Sequence, residues 1–387
     1  MIKTEQKVLT LIGDPNQINT WSNIPYFFLK ASQKERFLDY GLALNPKKLS
    51  LLRIIWNLIT WLHTREKGGF QYSKVFLKQL FAQADIEENT EFISHFPLLP
   101  PNPWLEKWQV NYYIDATLKQ NFDDYGLASI VAAKVRKIAL ATEKNNYLQA
   151  KRIICMSREA ANSIIKDYNI PANKVYVITG GANLDEERLS KADLDAQSNP
   201  VNFKPLRLGF IGKDWQRKGL PFLLEIADVL DSRNIPVEVI AVGSKVQELP
   251  KHKLLKPMGF INKFKDMDKF IQLVRSCHFG CLFSSAEAFG ISNLECLRLG
   301  VPVVANRVGG IPDTIPEGLG FLFEPSSSPE TVADFLESFV DNPISYQELR
   351  QQVIARAEEF SWANTVHKFV QVWQGSKEFL YDPISAK

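Results

Sequence analysis

The sequence predicts an α/β protein built from two doubly wound parallel sheets, and three observations support that prediction. The chain has 387 residues, too many for one ordinary domain. Hydrophobic residues make up 45% of it and charged residues 23%, as in globular proteins with a full core. Short apolar runs alternate with helical patterns through most of the chain, which is typical of β-α units on parallel sheets.

The first half begins with a strand predicted at Val8 to Ile12, followed by the turn Gly-Asp-Pro. Helical patterns occur in YFFLKASQKERF and in REAANSIIKDYNI. Three further runs are predicted to form strands: QVNYYIDATL, AKRIICMS and NKVYVITGGAN. Ligands are expected where these strands end, because doubly wound sheets bind them at the carboxyl edge.

A helix is predicted at residues 49–65, LSLLRIIWNLITWLHTR, and two interpretations stay open for it. It falls short of the roughly 20 apolar residues that span a bilayer, and Arg53 interrupts it. Basic residues flank it at Lys47, Lys48 and Lys67, as in an interfacial helix. A buried amphipathic helix is the simpler interpretation, and we favour it.

Residues 185–205 lack an apolar period and are rich in Asp, Ser, Asn and Pro, which predicts a linker. The alternation then restarts, with strands predicted at LRLGFIG, PVEVIAVG, HFGCLFSS, VPVVAN and GLGFLFEP. Helical patterns lie between these strands, and three more close the chain. The domains are therefore predicted at 1–190 and 206–365, with a linker at 191–205 and a last helix at 366–387.

Composition excludes several classes of protein. A net charge of +3 is too small for a dedicated nucleic-acid binder. Four cysteines in a chain of this length do not make a disulfide framework, and a reducing cytoplasm fits them best. No hydrophobic signal segment is recognisable at the N-terminus, so we expect a cytoplasmic protein.

The loop FIGKDWQRKGL is the first candidate for chemistry. A predicted strand ends at Gly212, and Lys213 and Lys218 bracket the turn into the next helix. Cations beside a helix N-terminus make an anion site, usually for phosphate, although a solvated basic loop is the alternative. Arg217 is either an extra phosphate contact or solvent-facing. Neither a Walker motif nor a G-x-G-x-x-G motif follows a strand, which removes the main support for a P-loop or dehydrogenase site.

The stretch CLFSSAEAFGISNLECLRL is the second candidate. Glu287 lies in a loop, Gly290 lets the backbone turn, and Ser292 or a neighbour can cap the helix that carries Glu295. The two acids therefore do not share one helix face. The open amides near Ile291 would face the same crevice as the lysines.

This stretch resembles the E-x7-E signature of retaining GT-B glycosyltransferases of family 4, glycosyl transferases group 1. FIGKDWQRKG is similar to that family's strand-Gly-Arg…Lys-Gly loop, and VPVVANRVGGIPDTI to its PVVA…GG.PE.I segment. FSWANTVHKFVQVW resembles its closing helix. In the first half, AKRIICMSREAANSIIKDYNIPANKVYVITGGAN is similar to a further family stretch, whereas residues 30–110 match nothing in it.

The resemblance implies transfer of a sugar, expected to be a hexose, from a nucleoside diphosphate to an acceptor hydroxyl with retention. Glu287 would hydrogen-bond the donor sugar near the reacting carbon, and Glu295 would hold the ribose hydroxyls. Lys213 and Lys218 would neutralise the diphosphate, because fixed positive charge stabilises the leaving group. The remaining donor contacts would come from residues at strand ends and at the helix start: Gly212, Gly259, Phe260, Gly290, Ile291 and Ser292.

The resemblance also assigns the acceptor to the first domain and the donor to the second, with the last helix returning to the first domain. The nucleotide sugar is then a co-substrate, and neither a cofactor nor a metal is required. The acceptor would be a sugar, a glycan or a lipid-linked molecule in polysaccharide biosynthesis. Peripheral membrane contact is expected only if the helix at residues 49–65 is exposed, which would favour a lipid-linked acceptor. No side chain is assigned as a covalent nucleophile; front-face attack is the expected course.

Three positions depart from the family pattern. Lys213 replaces the usual arginine and loses its bidentate geometry. Residues 23–25, Asn-Ile-Pro, replace a Gly-Gly loop. Ile114-Asp115 replaces His-Asp, which leaves Asp115 as the acceptor-side group. The last two departures keep open a non-catalytic partner or sugar-binding protein, and nucleotide-sugar epimerisation is a further alternative.

Other signals receive a simpler interpretation. Asp193 to Asp195 spell the D-x-D motif of metal-binding glycosyltransferases, but they lie in the predicted linker. Cys277, His278 and Cys281 are predicted to pack in the core, because zinc needs four convergent ligands. His95, in HFPLLPPNPW, is interpreted as part of a surface loop in preference to an acceptor cleft.

Overall fold

The computed structural model describes residues 6–66, 68–87, 89–189 and 202–383. The chain forms two compact units, Met1–Thr179 with Val366–Lys387, and Gly180–Thr365. The first boundary therefore falls before the predicted domain end at 190. The predicted linker at 191–205 lies mostly outside the described residues, and near its end Phe203 is buried against Tyr346 in the second unit.

The first unit contains a six-stranded sheet with all neighbouring strands parallel. Its strands are β1 (Gln6–Thr10), β2 (Tyr40–Leu42), β3 (Thr90–Ser94), β4 (Gln109–Ile114), β5 (Arg152–Cys155) and β6 (Val175–Val177). Its helices are α1 (Ile24–Lys34), α2 (Ser50–Thr64), α3 (Lys74–Phe81), α4 (Trp104–Lys107), α5 (Leu118–Asp123), α6 (Ala133–Gln149) and α7 (Arg158–Lys166). The strand order 2-1-3-4-5-6 reverses between β1 and β3, so the switch point where doubly wound sheets bind ligands lies there.

Strands β2 and β3 were absent from the prediction. All five residues of β3 are buried, including Glu91 near its start. That carboxylate accepts a hydrogen bond from Asn111 at 2.8 Å and lies 3.6 Å from a guanidinium nitrogen of Arg152. A charged residue inside a strand obscured the apolar pattern, although its charge is paired in the fold.

The last helix, α13 (Trp362–Trp373), ends inside the first unit. The Phe369 ring lies 5.0 Å from the Phe28 ring and 4.8 Å from the Tyr113 ring. The indole of Trp373 donates a hydrogen bond to Glu91 at 3.1 Å. Beyond the helix, residues 379–381 run antiparallel to β6 and add two backbone hydrogen bonds to that edge.

The second unit also has a six-stranded sheet in which every neighbouring pair is parallel. Its strands are β7 (Leu206–Ile211), β8 (Val237–Val242), β9 (Leu255–Gly259), β10 (Phe279–Leu282), β11 (Val303–Asn306) and β12 (Gly320–Phe323). Its helices are α8 (Leu220–Ser232), α9 (Met267–Arg275), α10 (Ile291–Arg298), α11 (Pro329–Asp341), α12 (Pro343–Ala355) and the start of α13. The order 12-11-10-7-8-9 reverses between β10 and β7. The unpredicted β9 is an edge strand, which is where the proline in its middle is tolerated.

Helix α2 contradicts the interpretation that we favoured, because it has no buried residue. Leu52 and Trp56 are partly buried against the core of the first unit, while the other side of the helix faces solvent. Among the described residues, no helix combines the length and the apolarity that crossing a membrane requires.

Candidate functional site

Three of the predicted donor residues follow the two strands that form the switch point of the second unit. β7 ends at Ile211 and β10 ends at Leu282, and the two strands are hydrogen-bonded neighbours. The loop after β7 carries Lys213 and Lys218, and the loop after β10 carries Glu287. The sheet therefore brings these three side chains to the edge where doubly wound folds bind ligands.

Lys218 reaches Glu287 because two glycines leave room for it. A Cβ atom at Gly212 would lie 2.4 Å from Cδ of Lys218. Gly219 has a φ of +79°, and a Cβ atom there would lie 2.0 Å from the carbonyl oxygen of Phe283. With both positions free of side chains, Nζ of Lys218 donates to Oε2 of Glu287 at 2.9 Å. The side chains are 13% and 12% exposed, so water only partly screens the pair.

Glu287 is held by its backbone as well as by its carboxylate. The amide of Gly310 donates to its carbonyl at 3.0 Å, and a Cβ atom at Gly309 would lie 2.1 Å from that oxygen. Oε2 also accepts from the Ser284 hydroxyl at 3.2 Å and lies 3.4 Å from Nη1 of Arg217. The predicted loop position of Glu287 is confirmed, with one carboxylate oxygen shared by three donors.

Arg217 was predicted to be either a phosphate contact or a solvent-facing residue, and the structure contradicts the second interpretation. Its Nε donates to Asp214 at 3.2 Å, and its Nη1 donates to the carbonyl of Ala286 and approaches Glu287. It therefore links the loop after β7 to the loop after β10. Lys213 differs, being exposed and without an acidic partner in the described part of the chain.

The N-terminus of α10 lies next to Glu287. Gly290 is its N-cap with a φ of +87°, and no side chain caps the helix. Of the two options in our prediction, Ser292 or a neighbour, the N-cap is therefore the neighbour Gly290, while Ser292 is buried in the first turn. The amides of Ile291 and Ser292 have no acceptor within a helix that starts at Ile291, and the helix dipole adds positive potential there.

Glu295 lies deeper in α10 and is 1% exposed. Its carboxylate is paired with Lys263, whose Nζ also lies 4.2 Å from the centre of the Phe270 ring. Burial raises the pKa of Glu295, and the charges of Lys263 and Lys218 oppose that rise. Lys218 thus pairs with Glu287 and also acts through its charge on Glu295.

Lys263 was missed by the sequence prediction. It lies in the loop after β9, a strand that the proline concealed, and nothing in its own sequence neighbourhood points to Glu295. Gly259 ends the same strand with a φ of +72°, and its carbonyl accepts from Gly243 at 2.9 Å. Phe260 is 68% exposed beside it, and its contact with a base stays a prediction.

The switch point of the first unit holds His95, which directly follows β3. His95 is 7% exposed, so the surface-loop interpretation is wrong. Its Nδ1 is buried and has no hydrogen-bond partner in the described part of the chain. Burial lowers the pKa of His95 to about 4, so the imidazole is neutral. Asp115, the predicted acceptor-side residue, is half-buried at the end of the neighbouring strand β4.

The loop after β1 takes an unusual backbone conformation. Trp21, Ser22 and Asn23 have φ values of 46°, 56° and 70°, which is the left-handed region that favours glycine. Three such residues in a row carry backbone strain, a feature that clusters at functional sites. The Trp21 ring lies 5.9 Å from the ring of Phe96, the residue after His95. Of residues 23–25, which replace the Gly-Gly segment of the family, Asn23 alone has a positive φ, and Ile24 is helical with a φ of −53°.

The competing signals have structural explanations. Cys277, His278 and Cys281 are buried, and Nδ1 of His278 accepts from the backbone amide of Arg207 at 2.8 Å, which confirms core packing. Across the described ranges, no group of three or more His, Cys, Asp or Glu side chains is placed to hold a metal. The D-x-D motif at 193–195 lies outside them.

Comparison with known proteins relates most of the second unit to one family. Residues 192–360 match the model of the family described as Glycosyl transferases group 1. A D-inositol 3-phosphate glycosyltransferase of Corynebacterium urealyticum is 25% identical over 272 residues, which cover 61% of this chain and 64% of that relative. A second such relative, from Corynebacterium diphtheriae, is 24% identical, with 55% of its length covered.

Solved structures match over nearly the whole chain. That of Anabaena HepE in complex with UDP has a TM-score of 0.64 at 15% identity and covers 96% of this chain and 100% of its own. That of sucrose-phosphate synthase from Thermosynechococcus elongatus has a TM-score of 0.63 at 16% identity, covering 95% and 98%. These likenesses establish the fold. The chain has the two-domain GT-B fold, and residues 192–360 match the glycosyl transferases group 1 family.

Proposed function

We propose that the protein is a retaining glycosyltransferase of family 4 that moves a sugar, expected to be a hexose, from a nucleoside diphosphate to an acceptor hydroxyl. The contact between Lys218 and Glu287 is the observation that supports this most directly. A diphosphate bound at Lys218 and at the amides of α10 would bring its attached sugar to Glu287. The carboxylate would then hold sugar hydroxyls beside the reacting carbon while the lysine stabilises the departing phosphate.

Glu295 suits the ribose end of the same donor. A buried carboxylate needs hydrogen-bond donors, and Lys263 and the backbone of Asn183 supply part of what Glu295 can accept. The two ribose hydroxyls would supply the rest. UDP is bound in the HepE structure, so uridine nucleotides are the first probes.

The reaction is proposed to proceed without a metal. Lys213, Lys218 and the start of α10 already place positive charge where the diphosphate would lie, the role that a divalent cation has in other transferases. Transfer should therefore continue in the presence of EDTA. Loss of activity that magnesium or manganese restores would contradict this part of the proposal.

The first unit is proposed to bind the acceptor. His95 is a neutral imidazole with a free buried nitrogen at the switch point, and it is a better acceptor-side candidate than Asp115. The acceptor would be a sugar, a glycan or a lipid-linked molecule in polysaccharide assembly. The four cysteines are free, which supports a cytoplasmic setting.

A thermal-shift panel of nucleoside diphosphates and their sugars tests the donor site. We expect one nucleotide to stabilise the wild type and the shift to shrink in Lys218→Ala. Lys253→Ala, an exposed lysine of the same unit, is the matched control and should keep the full shift. If no nucleotide stabilises the protein, the donor-site assignment is wrong.

Turnover separates the remaining alternatives. A transferase releases nucleoside diphosphate and forms a glycoside only when an acceptor is present, whereas an epimerase needs no acceptor. A binding protein would show the thermal shift without turnover under any acceptor tested. Retention is read from the anomeric configuration of the product by NMR.

A further inference from the structure

The solvent-facing side of α2 is a continuous apolar surface. Its members recur at intervals of three and four residues, which puts them on one helix face. They are Leu51, Ile54, Ile55, Leu58, Ile59 and Leu62, and they are between 48% and 71% exposed. We call this set the apolar face of α2. A cluster of large aliphatic side chains in water is unusual on a monomer and marks an interaction site.

The opposite side of the helix holds it in place. Leu52 and Trp56 pack against the core of the first unit, and the Trp56 ring lies 5.6 Å from that of Phe70. The helix is therefore anchored to the first unit through Leu52 and Trp56, and its apolar face is left exposed to solvent.

The charged side chains on α2 and in the turn before it have one sign, and Glu66, the first acid after the helix, accepts a hydrogen bond from the backbone amide of Ala133. Residues 40–65 contain no aspartate or glutamate. Lys47, Lys48, Arg53 and Arg65 are all exposed, the first two immediately before the helix and the last at its C-cap. An apolar face with cationic flanks matches the boundary of a bilayer, where acyl chains lie beneath anionic headgroups.

We propose that the apolar face of α2 lies in the surface of an anionic lipid bilayer, with Lys47 and Lys48 on the headgroups. Fifteen residues give a helix of roughly 22 Å, long enough to lie in the interface and too short to cross the hydrocarbon core. The surface fits a second copy of the chain less well. A stable interface buries roughly 800 Å² on each partner, more than one such helix face offers. Pairing two copies would also bring like charges together.

Vesicle co-sedimentation of the full chain tests this proposal, with phosphatidylcholine alone or with phosphatidylglycerol added. We expect pelleting with the anionic vesicles and much less with the neutral ones. The double variant Ile54→Asn/Leu58→Asn should lower the bound fraction by about tenfold or more. Lys47→Glu/Lys48→Glu should lower it by roughly tenfold at low salt, because each cation contributes separately near an anionic surface.

Matched controls come from the second unit. Ile344→Asn removes an isolated apolar side chain that is 69% exposed, and Lys251→Glu/Lys269→Glu reverses two exposed lysines. Both should pellet like the wild type. Circular dichroism and nucleotide thermal shifts on every variant establish that it is folded, and they keep this result separate from the donor-site proposal.

Two outcomes would overturn the proposal. One is a wild type that pellets equally with both vesicles or with neither. The other is a wild type that light scattering shows to be a dimer and that Ile54→Asn/Leu58→Asn converts to a monomer, because the apolar face would then bind a second copy.

Discussion

The two sheets of this protein share one plan, yet their switch points carry opposite chemistry. In the second unit the reversal of strand order is lined by charged pairs, Lys218 with Glu287 and Lys263 with Glu295. In the first unit the same position holds His95, buried and neutral. Fixed charge suits a diphosphate, whereas a neutral group that can donate or accept a hydrogen bond suits an uncharged hydroxyl. The comparison suggests that topology fixes where a ligand binds and that side-chain charge selects which ligand.

The largest effect is expected for Glu287→Gln. The amide keeps the shape but removes the negative charge from the proposed sugar site, so turnover should fall by about 10² to 10³-fold. Nucleotide affinity should change little, because the diphosphate contacts remain. Product formation and thermal shift measure the two quantities. Glu324→Gln, at an exposed acid paired with Arg307, is the control and should leave both unchanged. Equal losses in both quantities would assign Glu287 to nucleotide binding instead.

The first unit has a buried carboxylate of its own, Glu143 on α6, which makes the stability of that unit depend on pH. It is fully buried and accepts hydrogen bonds from the Leu118 amide at 2.9 Å and from the hydroxyls of Tyr147 and Tyr168. Burial raises its pKa from 4.5 to about 7. The folded state therefore holds this proton more tightly than the unfolded chain does. The associated stability is fully present below pH 4.5 and is lost as the pH rises through about 7.

Glu143→Gln removes that titration while keeping an acceptor. The wild type should lose up to roughly 3 kcal/mol in the free energy of unfolding between about pH 5 and pH 8, and the variant should lose much less. Denaturant titrations at several pH values measure the difference. Parallel curves for the two proteins would mean that Glu143 stays ionised in the fold.

Lys218→Met tests the charged switch point directly. Losing the part-buried ammonium that we propose binds the diphosphate should weaken nucleoside diphosphate affinity by about 10 to 30-fold. Lys213→Met should cost only a few-fold and should lose its effect in high salt, because Lys213 is exposed. Calorimetry at two salt concentrations distinguishes them. If Lys213→Met weakened affinity equally at both salt concentrations, the predicted difference between an exposed and a part-buried lysine would be wrong.

His95→Ala tests the neutral switch point. We expect kcat/KM for the acceptor to fall about tenfold, mainly because the acceptor KM rises. This is the size of effect expected for the loss of one hydrogen bond in a closed site. The nucleotide thermal shift should stay at the wild-type value. Asp115→Asn is the comparison variant, and a larger loss there would restore our original assignment of the acceptor side.

The positions of the proposed donor residues were predictable because their signals are local. Lys213, Lys218 and Glu287 each follow a strongly apolar strand, and the two lysines stand beside glycines, so sequence order alone places them at a sheet edge. Lys263 and His95 were not predictable in this way. Each follows a strand that a proline or a buried glutamate conceals, and its environment comes from residues distant in sequence.

Helix α2 marks a different limit. Its apolar period was visible in the sequence, and the structure keeps the helix. A period shows which residues share a face, but it carries no information on whether another element covers that face. The packing of Leu52 and Trp56 in the structure shows that the side opposite the apolar face is the one that is covered.

The return of α13 to the first unit has a consequence for synthesis on the ribosome. The sheet of the first unit emerges early, but Phe369 and Trp373, which pack on Tyr113 and Glu91, are added only after the whole second unit has been translated. The second unit is one continuous stretch of chain and can complete its core first. The part of the protein that is made first would therefore be the last to finish folding. The surface on which Phe369 and Trp373 pack would stay exposed throughout elongation.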